Sequence, residues 1–150
     1  MSKAQRLTDM FDNVISSYSR AEAIADGVLV DVTEVAKEAG FTWPVAVTSA
    51  AWEDCVAWTD ADSRRQTHQD QAGRLWNVVW MARVAAAKQP GHAALTARPK
   101  SPDSPVRTFQ MFRVPRDGKS NRARPVILKM VVGPDDHGNP CLTIMQPMED

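Results

Sequence analysis

A polar connector at residues 60–70, within TDADSRRQTHQDQ, holds the densest group of side chains that could do chemistry. A histidine beside a carboxylate can transfer protons near neutral pH, and paired arginines can bind a phosphate or carboxylate group. The candidate catalytic residues are His68, Asp62, Arg64 and Arg65, with Asp60 and Asp70 beside them. The alternative is a solvated surface with ordinary ion pairs, because charged residues before a buried helix are expected outside.

A basic loop between two predicted strands, residues 116–124, is the second candidate site. Its cationic side chains are Arg116, Lys119, Arg122 and Arg124. Such a loop could reach a phosphate backbone. Stacking of single-stranded bases would also need exposed aromatic rings, and Phe109 and Phe112 in the preceding strand are the nearest candidates. The loop is therefore predicted to bind a nucleic acid or a protein partner.

The segment DDHGN, residues 135–139, brings two carboxylates and an imidazole together. Such a group could bind a metal ion, but Asp, Gly and Asn are also the residues that a hairpin turn requires. We expect a turn and predict no metal site. The glycines lack the spacing of phosphate-binding and dinucleotide-binding loops, so no cofactor is predicted either.

The two cysteines, Cys55 and Cys141, lie in apolar patterns, the first in a predicted helix and the second in a predicted strand. Neither has the spacing of a zinc ligand, and a disulfide is not expected in a reducing compartment. Both are predicted to be small buried side chains, with a reactive nucleophile as the alternative.

The carboxylates in ADGVLVDVTEVAKEAGF, residues 25–41, could be taken for catalytic acids but fit local structure. Asp31 and Glu34 precede the helical pattern VAKEAG, where an acidic side chain can accept a bond from a free backbone amide. Gly40 is predicted to end this helix, because a residue without Cβ readily adopts the left-handed conformation of a helix C-terminus. Asp31 and Glu34 are therefore predicted to cap a helix.

Hydrophobic periodicity predicts the elements that position these sites. The helix RLWNVVWMARVAAAK, residues 74–88, is apolar on most sides and is predicted to lie in the centre of the fold, with its tryptophans buried. Trp76→Ala would then cost about 3 to 5 kcal/mol of stability. In a later strand Val126, Leu128, Met130 and Val132 share one face, which this helix would cover. The last three strands are predicted to form an antiparallel meander, and the fold class is α+β.

Length and composition fit a single domain, residues 1–150, because 43% apolar content is enough for a hydrophobic core. Within it, a polar lead covers about residues 1–12 and a flexible proline-rich tether covers about residues 89–107. No stretch has the length and apolarity of a membrane-spanning helix, and the first residues lack a signal-peptide core. The protein is expected to be soluble and cytoplasmic, with no membrane partner.

The net charge of zero hides a gradient along the chain. Residues 1–60 hold 4 Lys/Arg against 10 Asp/Glu, while residues 61–150 hold 14 against 8. Such asymmetry is typical of a surface for a nucleic acid or a charged protein. The alternative is that the acidic and basic halves pair within one fold.

The stretches VISSYSRAEAIADGVLVDVTEVAKEAGFTWPVAVTSAAWEDCVAW, SRRQTHQDQAGRLWNVVWMAR and GPDDHGNPCLTIMQPMED resemble a family of small uncharacterised proteins carried by bacterial plasmids, phages and integrated elements. The resemblance covers most of the chain and supplies no catalytic motif. It implies an accessory protein of a mobile element, which binds host or rival machinery such as restriction or CRISPR effectors.

Three functional hypotheses remain open from the sequence. The first is a small non-enzymatic protein that binds a protein partner stoichiometrically and modulates a defence or nucleic-acid-handling system, through its acidic N-terminal surface or its basic loop. The second is direct nucleic-acid binding by the basic loop. The third is a hydrolase or transferase centred on His68 in the connector. Because no catalytic motif is present, a binding protein is preferred to an enzyme.

Overall fold

Five helices and five strands form within residues 18–87 and 106–150, the part of the chain that this computed structural model describes. The helices are α1 (Arg20–Ala25), α2 (Thr33–Ala39), α3 (Ser49–Cys55), α4 (Asp60–Arg65) and α5 (Gln71–Ala87). The strands are β1 (Leu29–Asp31), β2 (Val45–Thr48), β3 (Val106–Arg113), β4 (Arg124–Pro134) and β5 (Pro140–Met145). The predicted polar lead and most of the predicted tether lie outside the described residues, and β3 begins inside the predicted tether range.

The strands form one mixed sheet in the order β1-β2-β5-β4-β3. β3, β4 and β5 pair antiparallel in chain order, as a meander requires. β2 then extends the sheet by pairing parallel with β5, with Val45 opposite Leu142, and β1 pairs antiparallel with β2. The α+β class is confirmed, but the predicted three-stranded meander is only part of a five-stranded sheet.

One face of the sheet carries the core. Leu128 and Met130 of β4 are buried on that face, together with Phe109 and Met111 of β3. Helices α2, α3 and α5 contribute the other side of this hydrophobic cluster. Ile127 lies between two inward-facing neighbours and is exposed, as the alternation of a strand demands. The predicted inward face of β4 is therefore confirmed.

The tryptophans of α5 are not buried, and that prediction is wrong. Trp76 is 39% exposed and Trp80 is 45% exposed, and their rings stack with centroids 5.9 Å apart. The helix instead buries a stripe of smaller side chains that begins after Arg74, namely Val78, Val79, Ala82 and Ala85. Small side chains let the helix lie close to the sheet, so the bulky indole rings point away from it. The helix is central, as predicted, through its valine and alanine face.

Asp31 was predicted to cap α2, and it does bond the first residue of the helix, although the N-cap position itself is Val32, which has no side-chain cap bond. Its Oδ1 accepts hydrogen bonds from the backbone amide and the hydroxyl of Thr33, the first residue of α2. Glu34 also lies in the first turn, but its carboxylate pairs with Lys37 at 3.2 Å instead of capping the helix. Gly40 ends the helix at a φ of +107°, a conformation that a residue without Cβ adopts at little cost.

Candidate functional site

Gln66 brings the two predicted sites together. Its side-chain amide donates hydrogen bonds to the carbonyl oxygens of Pro115 at 2.8 Å and Ser120 at 2.6 Å. Its amide oxygen accepts a bond from the backbone of Gly118 at 3.1 Å. The connector and the basic loop therefore lie side by side, although 49 residues separate Gln66 from Pro115.

Arg116 joins the basic loop to α3 and α4. Its Nε donates to Oδ2 of Asp62 at 2.9 Å, and its Nη1 donates to Oε2 of Glu53 at 3.0 Å. Asp62 also accepts bonds from the backbone and hydroxyl of Thr59, which completes a capping box at the start of α4. The Thr59 amide first, and Arg116 next, hold the pKa of Asp62 below its ordinary value. Residues from both predicted sites thus form one ion pair, whose carboxylate is buried.

The remaining cations of the two predicted sites are exposed. They are Arg64 and Arg65 at the end of α4 and Lys119, Arg122 and Arg124 in the basic loop. Within residues 18–87 and 106–150 their side chains form no ion pair. The hydroxyl and amide of Ser120 and the amide of Lys119 bond to Asp117 and lower its pKa, so the loop has a defined turn. Through Gln66, the residue after Arg65, that turn lies beside the end of α4.

A cleft of about 520 Å³ opens where the connector, α5 and the end of β3 meet. Its lining residues are Cys55, His68, Gln69, Asp70, Gly73, Arg74, Asn77, Phe112, Arg113, Val114 and Ala123. His68 is exposed there, whereas the other predicted catalytic residues do not line the cleft. Asp70 accepts a hydrogen bond from the Gly73 amide at 2.6 Å, so its carboxylate is engaged in starting α5.

The buried side chain of Arg74 forms one wall of this cleft, and the sequence analysis did not predict Arg74 as a site residue. Its Nε donates to the Val56 carbonyl, its Nη1 to the Gln69 side chain and the Val114 carbonyl, and its Nη2 to the Asp54 carbonyl. Only 6% of the residue is exposed, and burial lowers the pKa of Arg74. The sequence did contain a signal for it: Arg74 is a charged residue one helical turn before Val78, on the face of α5 that is otherwise apolar and buried.

Arg113 is the second cation of the cleft that was missed. Its Nε and Nη2 both contact Oδ1 of Asp54, at 3.0 and 2.9 Å. Arg113 alternates along β3 with the buried residues Phe109 and Met111, so the strand periodicity already placed it on the inward face. Together with the bond of Arg116 to Glu53, this ion pair shows that basic residues of the second half do pair with acidic residues of the first.

The stacked tryptophan pair adjoins the cleft. Gly73 and Asn77, which line the cleft, lie three residues before Trp76 and Trp80, so these positions are neighbours on the surface of α5. The side-chain amide of Asn77 donates to the Phe112 carbonyl at 3.0 Å and ties the helix to the edge strand. An exposed aromatic surface therefore flanks a cleft with a cationic lining.

The turn at residues 135–139 lies apart from this site. Oδ1 of Asp135 accepts hydrogen bonds from the amides of Asn139 and His137, which lower the pKa of Asp135 and close the turn. Asp136 accepts bonds from the amides of Arg20 and Ala21 at the start of α1. The turn prediction is confirmed. Residues 18–87 and 106–150 contain no group of three or more His, Cys, Asp or Glu side chains placed to hold a metal ion.

Both cysteines are buried and free, as predicted. Burial raises the pKa of the Cys55 thiol to about 12 and also raises the pKa of Cys141. Cys55 lies at the back of the cleft, but a protonated thiol is a poor nucleophile.

A larger cavity, of about 610 Å³, lies at the other end of α5. Its lining includes Trp43, Arg83 and Arg107 above the apolar side chains of Met130 and Leu142. None of the predicted site residues contributes to it. The cleft beside the connector is therefore the candidate site.

These features define a small α+β protein with a cationic cleft at the edge of its sheet. The chain belongs to DUF6573, a family of unknown function, whose model matches residues 8–150. No curated protein and no solved structure matches the chain. No helix within residues 18–87 and 106–150 is long and apolar enough to cross a membrane.

Proposed function

We propose that this chain binds single-stranded nucleic acid on the surface formed by the basic loop, the end of α4 and the cleft. The observation that carries the proposal is the bonding of Gln66 to the loop, which brings cations from two distant parts of the sequence to one surface. Five of these cations are exposed and form no ion pair with the described residues, and each one that contacts a phosphate releases counterions. Such a surface binds a phosphate backbone whatever its sequence.

The stacked pair Trp76 and Trp80 favours an unpaired strand over a duplex. Bases stack on exposed aromatic rings, and each such contact is worth about 1 to 3 kcal/mol. In a duplex the bases are already stacked on one another, so only a single strand can use these rings. A cationic groove beside exposed aromatic rings is typical of proteins that bind single strands.

Fluorescence anisotropy of a labelled oligonucleotide tests the proposal. We expect the single strand to bind at low salt, with the logarithm of the association constant falling linearly as the logarithm of the salt concentration rises. Arg122→Glu should weaken binding and reduce the salt slope by about one. Lys37→Glu changes the net charge equally on α2, outside the cleft and loop, and should leave binding nearly unchanged.

Trp80→Ala separates stacking from charge. It should weaken single-strand binding by about tenfold without altering the salt slope, because the ring carries no charge. The proposal is wrong if the strand does not bind at low salt, or if Arg122→Glu and Lys37→Glu behave alike.

We further propose that the chain acts for a mobile genetic element against a host or rival defence or nucleic-acid-handling system, as its resemblance implies. The observation that favours a protein partner is a second, acidic surface on and around α1 and α2. Its exposed carboxylates are Glu22, Asp26, Asp31, Glu34 and Glu38. The ion pairs within the described ranges do not connect this surface to the basic loop, so it remains accessible to a basic partner.

Phage plating on cells that carry a restriction or CRISPR system tests this role. Expression of the chain should raise the plating efficiency of a restricted phage, and the double variant Glu34→Lys and Glu38→Lys should abolish the effect while remaining folded. Unchanged plating across such systems would contradict the role and leave the nucleic-acid proposal to be judged by its own binding assay.

A further inference from the structure

We propose that the cleft beside the connector binds the terminal phosphate monoester of a nucleic-acid strand, with Arg113 and His68 as its ligands and Arg74 as the charge behind them. This inference rests on the proposed nucleic-acid binding and specifies which part of the strand the cleft takes. The cleft adjoins both the basic loop, through Ala123, and the tryptophan pair, through Asn77. A strand lying on that surface therefore has the cleft within reach of its end.

The lining offers cationic donors to an anion. Two guanidinium groups and an imidazole line the cleft, against the single carboxylate of Asp70. That carboxylate is already bonded to the Gly73 amide at 2.6 Å. A second carboxylate, that of Asp54, pairs with Arg113 from behind the lining, so Arg74 and the unused donors, rather than an excess of positive charge, favour an anion.

Asp54 binds both guanidinium groups, which brings the two positive charges close together. Its carboxylate pairs with Arg113 at 3.0 Å, while only its carbonyl oxygen contacts Arg74, at 3.2 Å. Every other acceptor of Arg74 is also a neutral oxygen, from Val56, Gln69 and Val114. Because a buried charge needs a counter-charge, an anion in the cleft would stabilise this arrangement.

Unused donors remain for that anion. Arg113 bonds through Nε and Nη2, so both hydrogens of its Nη1 are available. His68 is exposed, and its ring makes no hydrogen bond with the described residues. A phosphate monoester carries nearly two negative charges and three terminal oxygens, whereas an internal diester carries one charge and two. The third terminal oxygen of the monoester therefore gives the free donors of Arg113 and His68 one more acceptor than a diester does.

Two oligonucleotides of the same sequence, one with a 5′-phosphate and one without, test the inference by anisotropy. A second pair that differs at the 3′ end shows which terminus is bound. We expect the phosphorylated strand to bind about tenfold more tightly, as charge-assisted hydrogen bonds of this kind allow. His68→Ala should reduce that ratio to a few-fold, and Arg113→Gln should abolish it. Arg65→Ala, an exposed cation outside the cleft, should weaken both strands equally and preserve the ratio.

Arg113→Gln also breaks the ion pair with Asp54, so its unfolding curve is measured alongside. Where that variant does not fold, His68→Ala decides, because the His68 side chain is exposed and forms no hydrogen bond or ion pair with the described residues. Inorganic phosphate supplies an independent probe: it should shift the ring resonances of His68, and the shift should be lost in Arg113→Gln.

The outcomes separate this inference from the proposed function. Equal affinity for both strands, with no response of His68 to phosphate, would overturn the terminal-phosphate site and leave single-strand binding standing. Failure of either strand to bind, with a His68 response to phosphate that depends on Arg113, would remove the nucleic-acid function while keeping an anion site in the cleft. A ratio that survives both cleft variants would place the phosphate elsewhere and would also overturn the inference.

Discussion

The guanidinium of Arg74 lies 4.6 Å from the centroid of the Trp58 ring, inside the fold. Both residues are buried, and the indole N–H of Trp58 donates to the Ser63 hydroxyl at 2.9 Å. A cation over an aromatic face is attracted by the ring quadrupole, more strongly where water is excluded. Arg74 thereby fastens α5 to the segment between α3 and α4, and the same side chain forms a wall of the cleft.

We expect Arg74→Ala to lower the free energy of unfolding by about 3 kcal/mol, because it leaves the buried carbonyl oxygens of Val56 and Val114 without these donors. Arg74→Lys should retain part of the stability, since it keeps the charge but not the planar fork. Urea unfolding followed by tryptophan fluorescence measures both. Arg65→Ala, at an exposed arginine, should change stability by less than about 0.5 kcal/mol. Equal stability of the two alanine variants would contradict the role of Arg74.

The half-exposed tryptophans should matter less to stability than a core aromatic residue. We expect Trp80→Ala to cost about 1 to 2 kcal/mol, mainly from the lost stack on Trp76. Phe109→Ala, at a residue that is 1% exposed, should cost about 3 to 5 kcal/mol. Thermal unfolding of the two variants gives the comparison. A Trp80→Ala protein as unstable as Phe109→Ala would restore the sequence-based view that the indoles belong to the core.

The sequence predicted the helices and strands themselves better than it predicted which of them lie next to each other in the fold. The alternation in β4 was enough to identify the inward face of Leu128 and Met130, because side chains alternate strictly along a strand. It was not enough to place β2 beside β5, since parallel pairing of Val45 with Leu142 joins segments far apart in the chain and leaves no local pattern. The meander prediction was therefore correct in part and incomplete.

The candidate site was likewise predictable only in part from the sequence. The connector and the basic loop could be identified from composition, but the bonds of Gln66 to Pro115 and Ser120 depend on the tertiary fold. Hydrophobicity alone also suggested that the largest apolar side chains of α5 are buried. The helix instead buries its small side chains, which allow it to lie close to the sheet. It also buries Arg74, because the guanidinium has four oxygen acceptors there.

Neither Cys55 nor Cys141 should react with a thiol reagent while the chain is folded. Their thiols are buried, burial raises the pKa of Cys55 to about 12, and burial raises the pKa of Cys141 as well. Since the thiolate is the reactive form, a disulfide reagent at about pH 8 should label neither residue in the native state and both in urea. Rapid labelling of native Cys55 would contradict the prediction and favour the alternative of a reactive nucleophile at the cleft.

The ion pair of Asp62 with Arg116 should make the stability of the fold depend on pH in the acidic range. Bonds from the Thr59 amide and from Arg116 hold the pKa of Asp62 below its ordinary value in the fold. Above a pH of about 4 the carboxylate is ionised in both the folded and the unfolded chain, so its contribution to stability is fully present. As the pH falls further, towards the lower pKa of the folded state, the unfolded chain takes up the proton first, and that contribution is lost.

Asp62→Asn tests this dependence, because the amide oxygen can still accept the Thr59 bond but carries no charge. We expect the variant to have a lower melting temperature at neutral pH and a shallower decline below a pH of about 4 than the native chain. Some decline should remain, since the pKa values of Asp117 and Asp135 are lowered as well. Asp60→Asn removes an exposed carboxylate from the same helical turn and should follow the native curve. Parallel pH profiles for the native chain and Asp62→Asn would mean that the ionised form of Asp62 adds nothing to the stability of the fold.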